Sequence, residues 1–107
     1  MLGEAIGDLA GDLAFRKIID NGARAPTAAV DNTGFSPDQQ FFLAEARWRG
    51  GAAGPEFLRV QVQSDAHPTS KFRVIGPLSN LPQFQNAFAC KEGSTMVRPA
   101  ADRCPVW

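Results

Sequence analysis

The sequence is poor in the residues that most often build catalytic and metal sites. Its 107 residues include two cysteines, one histidine and no tyrosine. Two cysteines are too few to predict a disulfide framework. The cysteines and the histidine do not have zinc-finger spacing, and no glycine-rich phosphate loop occurs. Disulfide-rich mini-domains, zinc fingers and phosphate-loop proteins are therefore excluded.

The balance of charge and the length of the apolar runs exclude two further classes. The 11 Lys and Arg residues are matched by 11 Asp and Glu residues, so no electrostatic argument favours nucleic acid or contact with an anionic membrane. No run approaches the roughly 20 apolar residues of a membrane span. The length fits one domain, or one piece of one. Because a helical pattern opens directly at Met1, with no signal peptide before it, we expect a truncated start.

The first helical pattern, over residues 2–19, has three distinct strips. Glu4 and Asp8 lie four residues apart and therefore share one face of the predicted helix. Glycine recurs at every fourth position from Gly3 to Gly11. Each glycine costs about 1 kcal/mol of helix propensity, so we expect another backbone to approach this strip closely. The third strip is apolar and consists of Ile6, Leu9, Ala10, Leu13 and Ala14.

The second helix has the clearest start signal in the chain. Ser36 is a good N-cap, Pro37 suits the first helical position, and Gln39 completes a capping box. The pair Gly50-Gly51 predicts its end. The turn residues of segment 20–34 predict a loop before it.

The remaining segments are short. Over residues 55–64, alternating apolar and polar positions favour a strand, whereas the leading proline favours a helix, so the pattern leaves both open. Residues 65–70 predict a turn, and residues 72–75 predict an extended piece that Gly76-Pro77 stops. A short helix is predicted over residues 81–88. The predicted core includes Phe35, Phe41, Phe42, Phe57, Phe72, Phe84 and Phe88.

Taken singly, the polar candidates all have plain structural explanations. A carboxylate pair on a helix is usually solvated. His67, in a turn before a proline, is more often exposed than catalytic, and Arg73 usually covers apolar surface with its stem. Cys90 and Cys104 can pair with each other, remain free thiols or bond elsewhere.

Several segments, taken in order, resemble one family. Residues 2–8 (LGEAIGD) resemble the Gly-Glu-Asn-Ile-Ala-Asp segment of the neprilysin-like zinc metallopeptidases, and residues 34–43 (GFSPDQQFFL) resemble the helix start that follows it. Residues 65–74 (DAHPTSKFRV) resemble the Asp-x-His-x-Pro-x-x-Phe-Arg-Val segment of that family. Residues 76–84 and the ending, residues 104–107, are similar to the C-terminus of its members.

This resemblance implies a mainly α fold and a set of site residues. The chain would be the C-terminal piece of a thermolysin-like (gluzincin) catalytic domain with few short extended segments, and residues 55–64 would be helical. Glu4 matches the third ligand of a catalytic zinc. Asp8 matches a catalytic-site carboxylate that orients a ligand histidine. His67 matches the residue that hydrogen-bonds the oxyanion of the tetrahedral intermediate, and Arg73 matches one that binds a substrate carbonyl.

The sequence also departs from the family pattern. At Ala5 and Ala10 the family's Asn and Gly are lost, and Asp12 stands where the pattern has Leu. No His-Glu-x-x-His motif occurs in the 107 residues, so two ligand histidines and the general-base glutamate would have to come from an upstream segment. We therefore expect residues 1–107 to form a single unit that is inactive as a peptidase when isolated.

The predicted function is that of a zinc-dependent metalloendopeptidase, with one zinc ion as cofactor. Its expected partners are peptide substrates and the upstream part of the catalytic domain. The resemblance also implies an extracytoplasmic location, whether secreted, periplasmic or in an ectodomain. One alternative is a non-catalytic helical module that binds another protein, in which Glu4 and Asp8 are structural. A second is a thiol hydrolase built on Cys90, His67 and Asp65, although no family motif surrounds that cysteine.

Overall fold

The computed structural model describes residues 2–18 and 34–105, and within these ranges the protein is helical. The helices are α1 (Leu2–Ile18), α2 (Pro37–Trp48), α3 (Pro55–Ser64), α4 (Ser70–Asn80) and α5 (Pro82–Ala87), followed by a 3-10 turn at Ala100–Asp102. The described ranges contain no strand. The mainly α prediction is confirmed. Residues 19–33, which include nearly all of the predicted loop, lie outside the described ranges.

Helix α2 starts as its capping box predicts. The backbone N–H of Gln39 donates to Ser36 Oγ at 3.2 Å, and the backbone N–H of Ser36 donates to Gln39 Oε1 at 2.9 Å. The Gln39 side chain also donates from Nε2 to the carbonyl of Ala87 at 2.9 Å. One residue therefore fixes the start of α2 and joins it to the end of α5.

Helix α4 corrects the predicted extended piece at residues 72–75 and the predicted stop at Gly76-Pro77. The helix continues through Pro77 to Asn80. Because Pro77 stands in the last turn, its missing N–H removes only one bond near the helix end. Pro77 and Leu78 are buried in the core, and this burial outweighs the local preference of proline to break the helix.

Residues 55–64 form the helix that the family resemblance implies, and the strand alternative is wrong. Pro55 occupies the first turn of α3, and Gly54 before it has extended backbone angles. None of the residues of α3 is buried. The alternation of apolar and polar residues therefore does not mark a core-facing strand, and Phe57 and Val60 are exposed on the helix surface.

The core lies where α1 meets α4 and where α2 meets α4 and α5. Its buried members are Leu9, Phe42, Leu78 and Leu81. The Phe42 ring is edge-on to that of Phe84, with centroids 5.3 Å apart. Such aromatic pairs add to the stability that burial of the rings supplies. The core thus joins Leu9 of α1, with Leu13 partly buried beside it, to the α2–α4–α5 unit.

One expectation about packing is wrong within the described residues: Phe35, Phe57 and Phe72 are exposed rather than in the core. Phe57 is exposed because α3 buries nothing, and Phe72 stands in the first turn of α4. The glycine strip of α1 is open among the described residues: outside the helix itself, nothing lies within 4 Å of the Cβ positions of Gly3 and Gly11. The backbone neighbour expected for this strip belongs, by the family resemblance, to an upstream segment. Helix α1 packs on α4 through its Leu9 side, which leaves the glycines exposed.

We predict that Phe42→Ala lowers the free energy of unfolding by about 3–5 kcal/mol, because it empties the centre of the aromatic cluster. Phe42 is 1% exposed, whereas Phe57 is 64% exposed and provides a matched control. Phe57→Ala should change the same quantity by less than about 0.5 kcal/mol. Urea unfolding followed by circular dichroism measures both. Equal losses in the two variants would contradict this assignment of the core.

Candidate active site

Helix α1 presents Glu4 and Asp8 from one face, one turn apart, but their environments differ. The Asp8 side chain is 8% exposed, whereas that of Glu4 is 43% exposed. A buried carboxylate must find hydrogen-bond donors within the protein, while a half-exposed one can remain accessible to a ligand. The two carboxylates are therefore suited to different tasks.

Asp8 is held by two arginines from different parts of the chain. Arg73 in α4 donates from Nε to Asp8 Oδ2 and from Nη2 to Oδ1, each at 2.8 Å. Arg49, the residue that caps the C-terminus of α2, donates from Nη2 to Asp8 Oδ1 at 2.9 Å. The two-pronged Arg73 contact fixes the orientation of the carboxylate as well as its position. Asp8 thereby joins α1 to α4 and to the end of α2.

These donors keep Asp8 charged. The hydrogen bonds from Arg73 lower the pKa of Asp8 below 3.8, and the charge of Arg49 lowers it further, although burial acts in the opposite direction. The same contact raises the pKa of Arg73. Asp8 is therefore a carboxylate at neutral pH.

Asp8 and Arg73 can each make a further hydrogen bond. Among the described residues, Asp8 Oδ1 accepts two hydrogen bonds, whereas Oδ2 accepts one, from Arg73 Nε. A carboxylate oxygen has two acceptor sites, so Oδ2 can accept another donor. Within the described residues, Arg73 Nη1 makes no hydrogen bond, and it can donate to a ligand. An open cleft of about 320 Å³ borders Arg73 and Arg49 and is also lined by Trp48, Gly50 and Ser70.

His67 lies in the turn between α3 and α4, where two carboxylates flank its ring. Asp65 Oδ1 accepts the backbone N–H of His67 at 2.9 Å and lies 2.8 Å from ring Nδ1. These bonds lower the pKa of Asp65. On the other side, His67 Nε2 lies 3.1 Å from Glu4 Oε2. The ring can donate to both carboxylates at once only as the imidazolium.

The structure therefore brings the four predicted site residues to one junction. Glu4 contacts His67, Asp8 contacts Arg73, and both contacts link α1 to α4 or to the turn before it. Two contributors were not among the residues predicted for a metallopeptidase site. Asp65, which the sequence analysis placed beside His67 only in the thiol hydrolase alternative, orients the His67 ring. For Arg49 the sequence contained no signal of a role in the site, because this residue stands just beyond the last turn of α2 and its partner Asp8 is 41 positions away.

The described residues fit one ligand position of a metal site rather than a complete site. Glu4 offers a half-exposed carboxylate oxygen, a ligand type that zinc accepts. In the ranges 2–18 and 34–105, no group of three or more His, Cys, Asp or Glu side chains could hold a metal ion. A catalytic zinc needs three protein ligands, so this part of the chain would hold such an ion only with help from other residues.

Both cysteines are free thiols, with Cys90 half-buried and Cys104 exposed. The sequence left a mutual disulfide, free thiols and bonds elsewhere open for Cys90 and Cys104, and in the structure both are free thiols. No hydrogen bond among the described residues joins Cys90 to His67, whose ring nitrogens face Asp65 and Glu4 instead. The thiol hydrolase alternative therefore lacks the contact that it requires.

None of the helices described is both long enough and apolar enough to cross a bilayer.

We predict that Asp8→Asn lowers the free energy of unfolding by about 3 kcal/mol, because it leaves two partly buried guanidinium groups without their carboxylate. Glu56 pairs with Arg59 on the surface of α3 at 2.8 Å and supplies the control. Glu56→Gln should cost less than about 1 kcal/mol. Urea unfolding at pH 7 measures both.

The pH dependence of unfolding gives a further check on Asp8. A carboxyl group whose pKa is lowered in the folded state contributes stability at any pH above its unfolded pKa, and that contribution is lost as the pH falls through the folded value. For Asp8 the loss lies below pH 3.8. Asp8→Asn should abolish this part of the acid-induced loss of stability. If stability fell equally below pH 3.8 in the wild type and in Asp8→Asn, the ion pairs of Asp8 with Arg73 and Arg49 would be contradicted.

Residues 1–104 match the family described as Peptidase family M13. The chain is 38% identical over 108 residues to an endothelin-converting enzyme homolog of Locusta migratoria, and 35% identical over 108 residues to human endothelin-converting enzyme 1. It is 31% identical over 109 residues to neprilysin-2 of Drosophila melanogaster.

The matches cover nearly all of this chain but little of the relatives. They span 99%, 99% and 98% of the chain, and 15%, 14% and 14% of the three relatives in the same order. No solved structure gives a significant match. The chain belongs to peptidase family M13, the neprilysin-like metallopeptidases.

Proposed function

We propose that this chain is the C-terminal part of the catalytic domain of a zinc-dependent endopeptidase, which hydrolyses internal bonds of peptides. Membership of the family supports the reaction class. One structural observation carries the assignment to a site: the Asp8–Arg73 pair holds α1 against α4, and in this arrangement Glu4 Oε2 lies 3.1 Å from His67 Nε2. A metal-binding carboxylate and a hydrogen-bond donor for the substrate would need this proximity.

In this proposal Glu4 would hold one coordination position of the zinc. The two histidine ligands and the glutamate that takes a proton from water would come from a His-Glu-x-x-His segment outside the 107 residues. When bound, zinc would polarise the scissile carbonyl and lower the pKa of the attacking water. Because one carboxylate does not make a zinc site, we expect the isolated chain to be inactive as a peptidase.

Asp8 would act on the metal site through a ligand histidine. Its Oδ2 has capacity for one more hydrogen bond, and a carboxylate that accepts the second ring N–H of a ligand histidine fixes the tautomer and orientation of the ring. Arg73 and Arg49 keep Asp8 ionised and hold it in place. Asp8 would therefore be charged whether or not the histidine is present.

His67 and Arg73 would contact the substrate. With Asp65 holding Nδ1, the Nε2 N–H of His67 can be redirected from Glu4 to the oxyanion that develops on the carbonyl oxygen. A donor placed where charge develops lowers the barrier to reaction. Arg73 would donate from Nη1 to a backbone carbonyl of the peptide, while Nε and Nη2 stay bound to Asp8.

The same proposal names the other partners. Phe57, Val60 and Phe72 are exposed, and a cleft of about 770 Å³ lies between α3 and the start of α4. The rest of a catalytic domain would cover such apolar surface.

Like its family, the complete enzyme would act outside the cytoplasm, in a secreted, periplasmic or ectodomain setting. A helical module that binds another protein without catalysis is the competing proposal.

We predict that, in an enzyme assembled with the His-Glu-x-x-His segment, Glu4→Ala removes zinc and activity together. Glu56→Ala, an exposed glutamate on α3, should retain both. Metal analysis of the purified proteins and cleavage of a quenched-fluorescent peptide measure the outcome. Full zinc content in Glu4→Ala would reject the ligand assignment. An assembled protein with neither zinc nor turnover would favour the non-catalytic module.

We also predict different kinetic changes for the two substrate-contacting residues. His67→Ala should lower kcat by roughly 10²–10³-fold, because its hydrogen bond strengthens in the transition state. Arg73→Lys keeps one charged hydrogen bond to Asp8, which maintains the contact of α1 with α4, but it removes the Nη1 donor. It should chiefly raise KM, because the Nη1 hydrogen bond would bind substrate and transition state alike. Steady-state kinetics on one peptide distinguishes the two. The same change in both variants would contradict at least one role.

A further inference from the structure

Two arginines meet at Asp8, and contacts on several sides hold their guanidinium groups in place. Arg73 donates to both carboxylate oxygens of Asp8. Arg49 donates from Nη2 to Asp8 Oδ1, which Arg73 also binds, and from Nε to Glu45 Oε1 at 2.7 Å. The Arg49 guanidinium also lies over the Trp48 ring, 4.7 Å from its centroid. Both groups are therefore fixed before a ligand arrives, so that binding costs little side-chain entropy.

Each guanidinium group keeps one nitrogen that is not used in these contacts. Among the residues described, neither Arg49 Nη1 nor Arg73 Nη1 makes a hydrogen bond. The buried side-chain polar atom that lacks a partner in this part of the chain is Gln83 Oε1, so both Nη1 atoms are open to solvent. The two arginines line one open cleft of about 320 Å³, with side chains that are 14% and 24% exposed. The wall of this cleft thus contains two fixed guanidinium groups, each with an unused donor.

The charges that hold these arginines suit a neutral ligand. The carboxylates of Asp8 and Glu45 offset the two guanidinium groups, so a free anion would gain little from the local charge. An extended peptide offers neutral acceptors instead, because its carbonyls on one side recur at every second residue, about 6–7 Å apart. Since Arg49 and Arg73 bind the same oxygen of Asp8, their guanidinium groups are close enough to reach two such carbonyls.

We propose that Arg49 is a second substrate-binding residue, which donates from Nη1 to a peptide carbonyl two residues away from the carbonyl that Arg73 binds. The inference rests on the proposed function, from which it takes the contact of Arg73 with the substrate. Two contacts with one backbone fix the direction in which the peptide crosses the cleft. Because both acceptors are main-chain atoms, Arg49 would select for an extended peptide of sufficient length and not for a particular side chain.

The test must separate a contact with the peptide from the support that Arg49 gives to Asp8. A double cycle does so, with Arg49→Lys as the change in the protein and replacement of one backbone carbonyl by a methylene group as the change in the peptide. Arg49→Lys keeps a charged group near Asp8 but lacks the Nη1 donor. A structural effect of the substitution is common to both peptides and cancels, so the coupling that remains reports the contact.

Binding of labelled peptides by fluorescence anisotropy gives the readout. It is measured on the protein assembled with the His-Glu-x-x-His segment, with a chelator present so that no peptide is cleaved. The carbonyl coupled to Arg73→Lys is located first. Loss of the carbonyl two residues from it should weaken binding about threefold to tenfold in the wild type but not in Arg49→Lys. Arg59→Lys, at an exposed arginine of α3, should behave as the wild type, and Arg49→Gln repeats the cycle if the lysine variant does not fold.

Additive losses at every carbonyl, or coupling of Arg49 and Arg73 to the same carbonyl, would overturn the inference. It would also be overturned if Arg49→Lys abolished a preference for a peptide with a free C-terminal carboxylate over its amide, since the ligand would then be an anion. A zinc-loaded, active enzyme with additive losses at Arg49 would refute this inference alone. The predicted coupling in an assembled protein that binds no zinc would refute the peptidase proposal alone.

Discussion

The two-pronged contact between Asp8 and Arg73 is the interaction on which the arrangement of this chain depends. It joins residues 65 positions apart. On α1, only Asp8 and Leu9 are buried among the side chains described. An apolar contact such as that of Leu9 tolerates rotation of the helix, whereas two parallel hydrogen bonds to one carboxylate do not. The net stability from such a buried pair is often small, but its geometry sets how α1 lies on α4.

The placement of the candidate site follows from that contact. Glu4 precedes Asp8 by one helical turn, and His67 precedes Arg73 by six residues, in the turn that leads into α4. Once Asp8 and Arg73 meet, Glu4 and His67 face each other at 3.1 Å. The ion pair and the candidate catalytic contact are thus two consequences of one helix packing. This explains how a half-exposed pair such as Glu4 and His67 is brought together without a core of its own.

The parts of the structure that local chemistry determines could be predicted from the sequence. The capping box of Ser36 and Gln39 set the start of α2, and the four-residue spacing put Glu4 and Asp8 on one face. Features determined by distant contacts could not be predicted. Pro77 is tolerated in α4 because it is buried in the final turn, and a local pattern contains no information about that burial.

Surface exposure was the other property that the pattern did not reveal. Phenylalanine side chains such as Phe57 and Phe72 are usually found in protein cores. Whether they are exposed depends on which elements cover them, and none of the described elements covers these two. Arg49 was missed as a contributor to the site for the same reason, because its role is set by a partner 41 positions away. The resemblance to the neprilysin-like family supplied the site residues, and the structure supplied their contacts.

Zinc-edge anomalous diffraction from crystals of the assembled enzyme would test the central claim most directly, because it locates the ion without assuming its ligands. The account predicts a single strong peak within about 2.0–2.2 Å of a Glu4 carboxylate oxygen, with two histidines from the upstream segment completing the ligand set. It also predicts that the Asp8–Arg73 contact persists beside the ion. A zinc ion bound elsewhere, with Glu4 outside its coordination shell, would contradict the account.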